Sequence, residues 1–154
     1  GFFDLAGICS PGLTAAPAVA EYAVELLGAA GLPLRLKPDF ICERKRLRFH
    51  TLSPEAKTAL VRQRPEYGRV ICRCETVTEG EILDALRAPI PPRSLDGLKR
   101  RTNTGMGRCQ GGFCAPRLVE LLSDALGIPA TRILQEGAGT WLLAGETKGG
   151  PAHV

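Results

Sequence analysis

Apolar and polar positions along this chain repeat mostly on a helical period, and only briefly on a strand-like one. Over 13–28, Leu13, Ala16, Ala20, Val24 and Leu27 recur every three or four residues, the spacing that gathers side chains on one helix face. That face predicts a buried helix, ended by Gly28 and Gly31. Residues 1–9 read as a short apolar strand, with Ser10-Pro11-Gly12 as the turn between. Residues 32–50 set Leu34, Leu36, Phe40, Ile41, Leu47 and Phe49 among basic groups and two prolines, which predicts a linker with one or two short strands. Ser53-Pro54-Glu55 opens a helix to about Arg64, because Ser caps, Pro pre-sets the first turn and the acid meets the positive helix end.

Pro65–Gly68 then turns the chain into a short strand at Val70-Ile71. Thr78-Glu-Gly-Glu81 is a capping box that starts a helix through about Arg87, stopped by Pro89, Pro91 and Pro92. Ser94 caps the next helix, through about Arg101. The last, 115–126, carries Pro116 in its first turn, Leu118, Leu121, Leu122 and Leu126 on one side, and Gly127 with Pro129 as its stop. Thr140–Leu143 reads as a strand with Trp141 as a packing residue, and the final residues read as mobile. The fold class is mainly α with short strands.

Composition narrows the functions. The 154 residues suffice for one ordinary domain or two small ones. A net charge of +4 and a pI near 8.9 are spread among acids with few aromatics, which argues against nucleic-acid binding. The apolar run Leu13–Leu34 contains Pro17, Glu21 and Glu25, and Asp4 precedes it where a signal peptide carries Lys or Arg, so neither a transmembrane segment nor a signal is expected. Gly1 opening directly into Phe2-Phe3 points to a piece of something larger. Six cysteines, four of them clustered, without a signal sequence favour reduced, metal-ligating thiols and a cytoplasmic location.

The chemistry concentrates in two short motifs. Cys72-Arg-Cys74 is followed, after 34 intervening residues, by Cys109-Gln-Gly-Gly-Phe-Cys114. Thiolates from two loops can converge on a soft metal. A Cys-X-Cys pair suits an iron of a 2Fe-2S cluster better than a zinc knuckle, which favours Cys-X2-4-Cys; structural zinc stays as the alternative, and air exposure can exchange iron for zinc. Four thiolates on two ferric irons and two sulfides make a dianion, and Gly105, Gly107, Gly111 and Gly112 let amides turn toward it while Arg69, Arg73, Arg108 and Arg117 flank it. Cys9 and Cys42 read as ordinary small buried side chains, and neither His50 nor His153 has a partner motif.

The stretch Cys72-Arg-Cys-Glu-Thr-Val-Thr-Glu-Gly-Glu-Ile with Arg101-Thr-Asn-Thr-Gly-Met-Gly-Arg-Cys-Gln-Gly-Gly-Phe-Cys114 resembles bacterioferritin-associated ferredoxin. It is most similar to the branch fused to FAD-dependent dehydrogenases, since the short ferredoxin closes with Cys-X2-Cys and this chain has Cys-X4-Cys. The resemblance implies a 2Fe-2S cluster on Cys72, Cys74, Cys109 and Cys114. Residues 1–18 also resemble the closing strand-turn-helix of an FAD domain in glycerol-3-phosphate-dehydrogenase-like flavoenzymes, which implies flavin contacts from free amides at Gly12, Leu13 and Thr14. No Gly-X-Gly-X-X-Gly fingerprint is present, so FAD is expected only in the full-length parent.

The implied layout is a flavin-domain remnant over 1–30, a linker over 31–64, a small helical 2Fe-2S-binding domain over 65–135 and a strand and tail over 136–154. The implied function is electron transfer in an FAD-dependent, glycerol-3-phosphate dehydrogenase-like oxidoreductase, with no catalytic residue in this piece. Its implied partners are the parent FAD domain and an electron-acceptor subunit or quinone pathway, through which it could lie at a membrane; the helix over 13–28 could also pair between two copies. The other readings are a zinc-stapled interaction module and a standalone ferredoxin serving iron mobilisation.

Overall fold

The computed structural model describes residues 2–43, 46–145 and 147–148, and the chain divides into two units, Gly1–Arg44 and Lys45–Val154. The first unit holds one helix, α1, Gly12–Ala29. It begins and ends within a residue of the expected bounds, but none of its residues is buried. Its half-buried side runs through Ala15, Val19, Ala23 and Leu27, with Ile8 and Leu34 against its two ends, whereas Leu13, Ala16, Ala20 and Val24 of the expected stripe are exposed. Residues 2–9 form no strand, because no second strand pairs with their backbone. The strands expected in 32–50 are likewise absent among the described residues there; a 3-10 turn at Phe49–Thr51 is the regular element of that stretch. No helix among the described residues is long and apolar enough to cross a membrane.

The second unit is built on its helix caps and one apolar core. In α2, Pro54–Gln63, the Ser53 hydroxyl accepts the Ala56 amide at 3.3 Å. A 3-10 turn at Pro65–Gly68 follows and buries Tyr67 completely. The Tyr67 ring lies flat on Gly80, where a methyl group would overlap it. Its hydroxyl donates to Asp84, which also takes two bonds from Arg64 at 2.6 and 3.1 Å. Strand β1, Val70–Cys72, pairs antiparallel with β2, Val77–Thr78, in the register Val70↔Thr78 and Cys72↔Val77 with an irregularity between.

Helix α3, Glu79–Leu86, starts on the expected capping box: Thr78 Oγ1 accepts the Glu81 amide at 3.4 Å and Glu81 Oε2 accepts the Thr78 amide at 2.9 Å. Helix α4, Leu95–Thr102, is capped by the Ser94 hydroxyl, which accepts the Gly97 amide at 3.1 Å, and ends on Asn103 in the left-handed region. Helix α5, Ala115–Leu126, ends on Gly127 at φ 63°. Ile82, Leu98, Leu122 and Ile133 are fully buried where α3, α4, α5 and the following strap meet. The strap is tied to α4, with the Leu95 amide donating to Leu134 O at 3.1 Å and the Asp96 amide to Gln135 O at 2.9 Å. The strand expected at Thr140–Leu143 reduces to a single bridge between Leu134 and Trp141, and Trp141 remains 57% exposed instead of packing inside. The tail at 149–154, with His153, lies outside the described residues.

Candidate metal centre

Four elements carry the four thiols to one end of the core. Cys72 closes β1 and Cys114 caps α5; both are among the buried residues of the core, at 1% and 2% exposure. Cys74 lies exposed in the turn between β1 and β2, and Cys109 lies half-buried in the loop after α4. All four are free thiols, and Cys74 Sγ stands 3.6 Å from Cys109 Sγ. Two inner thiols thus sit in the core and two outer ones at the surface.

The loop from Asn103 to Cys114 is folded by its own backbone. Gln110 N donates to Gly107 O at 2.9 Å, Gly112 N to Cys109 O at 2.9 Å and Ala115 N to Gly111 O at 2.9 Å. Gly105 and Gly111 take φ of 78° and 88°, conformations that side chains disfavour. The Gln110 side-chain amide donates to Met106 O at 3.2 Å and Gly107 O at 2.9 Å, clamping the loop on itself.

The two thiols of this loop feel opposite environments. Burial pushes the Cys114 thiol up to about 11, and the neighbouring Cys72 thiol pushes the same way. Its place at the start of α5 does not reverse this, so burial outweighs the helix dipole. The Cys109 thiol is held below its ordinary value, first by the Phe113 amide and then by Cys74.

Among the described residues, no three His, Cys, Asp or Glu side chains gather around a single point. A 2Fe-2S cluster does not need that, since it spreads four thiolates over two iron atoms. The donor set of four free cysteines, an inner pair in apolar surroundings and an outer pair in contact, fits such a group.

The flanking charges divide into two kinds. Arg69 donates to Glu79 at 2.7 and 2.8 Å, and Arg117 lies 3.7 Å from the same carboxylate while bonding Glu120 at 2.6 Å. Glu79 is buried, and the Arg69 guanidinium holds its carboxyl below the usual range. Arg73 and Arg108 are exposed and make no ion pair among the described residues. Glu79 and Gln110 escaped the sequence reading. Glu79 shows there only as the residue after a cap, with no signal of its bond to Arg69, and Gln110 only as a polar residue among glycines, with no signal of its bonds to Met106 and Gly107.

The other named residues lie in the first unit. Gly12 starts α1, but its amide is not free, because it donates to Cys9 O at 2.8 Å and closes the turn. No side chain caps that turn, and Leu13 is 93% exposed beside Thr14. Cys9 and Cys42 are exposed, not buried as expected.

Residues 70–124 match the family described as the BFD-like 2Fe-2S binding domain. A glycerol 3-phosphate dehydrogenase of Caloramator mitchellensis is 42% identical over 149 residues, covering 96% of this chain and 31% of that protein. An anaerobic glycerol-3-phosphate dehydrogenase subunit of Escherichia coli K12 is 47% identical over 53 residues, 34% of this chain and 10% of that one. An opine oxidase subunit of Rhizobium meliloti is 33% identical over 124 residues, 78% of this chain and 20% of that one. The chain thus spans less than a third of the length of any of these relatives. No solved structure matches. All four clustered cysteines fall inside the matched stretch, and the chain carries a BFD-like 2Fe-2S binding domain within a longer similarity to glycerol-3-phosphate dehydrogenases.

Proposed function

We propose that this chain is the electron-transfer part of an FAD-dependent dehydrogenase of the glycerol-3-phosphate type, with Cys72, Cys74, Cys109 and Cys114 as the ligands of one 2Fe-2S cluster. The observation that carries the reading is the convergence of two cysteine motifs, separated by 34 residues, into a contact of 3.6 Å between Cys74 and Cys109. The chemistry such a cluster supplies when bound is reversible one-electron transfer, which divides the electron pair that a flavin takes from its substrate. Cys72 and Cys114 anchor it from the core and keep water from its inner side. Cys74 and Cys109 would hold it from the surface side. The Gln110-clamped loop turns amides toward the ligand sulfurs, and the cations at Arg73 and Arg108 offset the negative charge.

The likeness to named dehydrogenase and oxidase subunits supports a partner subunit, which in this reading is the electron acceptor or leads to a quinone pathway. The uncovered stripe of α1 is the surface a parent FAD domain, or a second copy of the chain, would cover. In the same reading Gly12, Leu13 and Thr14 approach the flavin of that parent. Residues 65–135 are the cluster domain, 1–30 the flavin-domain remnant, 31–64 the linker and 136–154 the closing strand and tail. The free thiols favour the cytoplasm. Anaerobic redox titration tests the reading: one electron per chain, with a paramagnetic signal on reduction, is expected. The chain alone is also expected to show no glycerol 3-phosphate oxidation. A colourless protein with stoichiometric zinc and no redox response, obtained anaerobically, would replace the electron carrier by a zinc-stapled module.

A further inference from the structure

We propose that Gly107 is a positioning residue for the thiolate site, because its missing side chain is what lets the Cys109 loop close on Cys74. The inference rests on the ligand assignment above, yet it concerns the apposition of two thiols and can be read with or without a cluster. A methyl group built on Gly107 would overlap the Cβ of Cys74 and come within 3.3 Å of the Cys74 Cα and 3.1 Å of Glu75 Oε1. The obstructing atoms are the root of the Cys74 side chain and its backbone, which cannot swing aside as a flexible tip would.

The other glycines of the loop differ. Gly105 and Gly111 are needed for their positive φ, whereas Gly107 is not in the left-handed region. Alanine at 107 is therefore penalised by space alone. Nor can the residue retreat, since its carbonyl accepts both the backbone and the side-chain amide of Gln110, at 2.9 Å each. Any displacement is passed along the clamped loop to Cys109, two residues on, and separates the sulfurs that now stand 3.6 Å apart.

Two measurements on Gly107→Ala test this. In the metal-free, reduced chain, oxidised glutathione probes the thiol pair directly. One thiolate attacks the glutathione disulfide and releases one glutathione; the second attacks the mixed disulfide and releases another. One glutathione disulfide is reduced to two thiols, and two protein thiols are oxidised to a Cys74–Cys109 bond. The sulfurs need to close only to a bond of about 2 Å. Peptide mapping should find that bond in the native chain, and its formation should slow roughly tenfold in Gly107→Ala. The anaerobically prepared variant should also lose most of its iron and labile sulfide and shift its paramagnetic signal. Gly137→Ala, where nothing lies within 4 Å of the added methyl, should match the native chain in both.

Native disulfide rate and cluster content in Gly107→Ala would overturn the proposal. A native chain without iron or sulfide, but with the same contrast in disulfide rate, would sink the cluster reading and leave Gly107 standing. Should Gly107→Ala fail to fold, the change is repeated on Cys74→Gly, which removes the overlapped atom. There it should lower the melting temperature by clearly less, since only the approaches to the Cys74 Cα and Glu75 Oε1 remain, and an undiminished loss would refute the contact.

Discussion

Glu79 shows how one side chain can hold the cysteine-bearing parts together. Its carboxylate, 8% exposed, bonds Arg69 on the approach to β1 and faces Arg117 on the first turns of α5. The folded protein keeps this carboxyl below its ordinary value of 4.5, chiefly through Arg69, so its stabilising effect is complete above that pH and fades as the pH falls below it. Melting temperatures should drop more steeply below about pH 4.5 in the native chain than in Glu79→Gln. Parallel curves in that window would show that Glu79 does not contribute. At neutral pH the same substitution should cost about 1 kcal/mol, a modest figure because Arg69 is 56% exposed to solvent. The cysteines and their grouping are legible from spacing, which is local. Glu79 and Gly107 are not, since each acts through an atom that only the fold brings near, and the bonds of Gln110, though only three and four residues long, lie in a loop with no regular pattern to announce them. Serine at Cys74 or Cys109 should remove an outer thiol and abolish stable cluster retention while leaving the helical circular dichroism unchanged, since neither belongs to the core.

The elements repeat the division between local and remote information. Helix starts at Ser53, Thr78 and Ser94, and the stops at Asn103 and Gly127, depend on hydrogen bonds a few residues long. Four of those five are readable from sequence, the left-handed Asn103 being the exception. The strap through Ile133 is not, because its partners Leu95 and Asp96 lie far back in the chain. The strand expected over 1–9 fails for a related reason, since an apolar run can mark a strand but cannot supply its partner. Helix α5 carries the inner thiol of Cys114 at one end and the fully buried Leu122 in its middle. Leu122→Ala should cost ~2–5 kcal/mol in stability and weaken cluster retention with it, as measured by denaturant unfolding and iron content. A cost under about half a kilocalorie would mean that this face is not the core. Thr78→Ala, which removes one side of the capping box, should cost about 1 kcal/mol by the same measurement.

At the scale of the molecule, a core of four elements presents a thiol site with a buried side and an open side. The Gly1–Arg44 unit contributes a helix with no buried residue, and its apolar face is the part of the chain least explained by its own contacts. Similarity to dehydrogenases extends through both units, covering 96% of the chain, while the matched 2Fe-2S family stops at residues 70–124. That difference in reach is what the proposed link between the thiol site and a dehydrogenase rests on. The most direct test of the central claim is native mass spectrometry of the anaerobically purified chain. The account predicts a mass above the polypeptide by two iron and two sulfide, lost together when any one of the four cysteines is replaced by serine. A bare chain, a single zinc, or an increment that survives loss of Cys109 would contradict it.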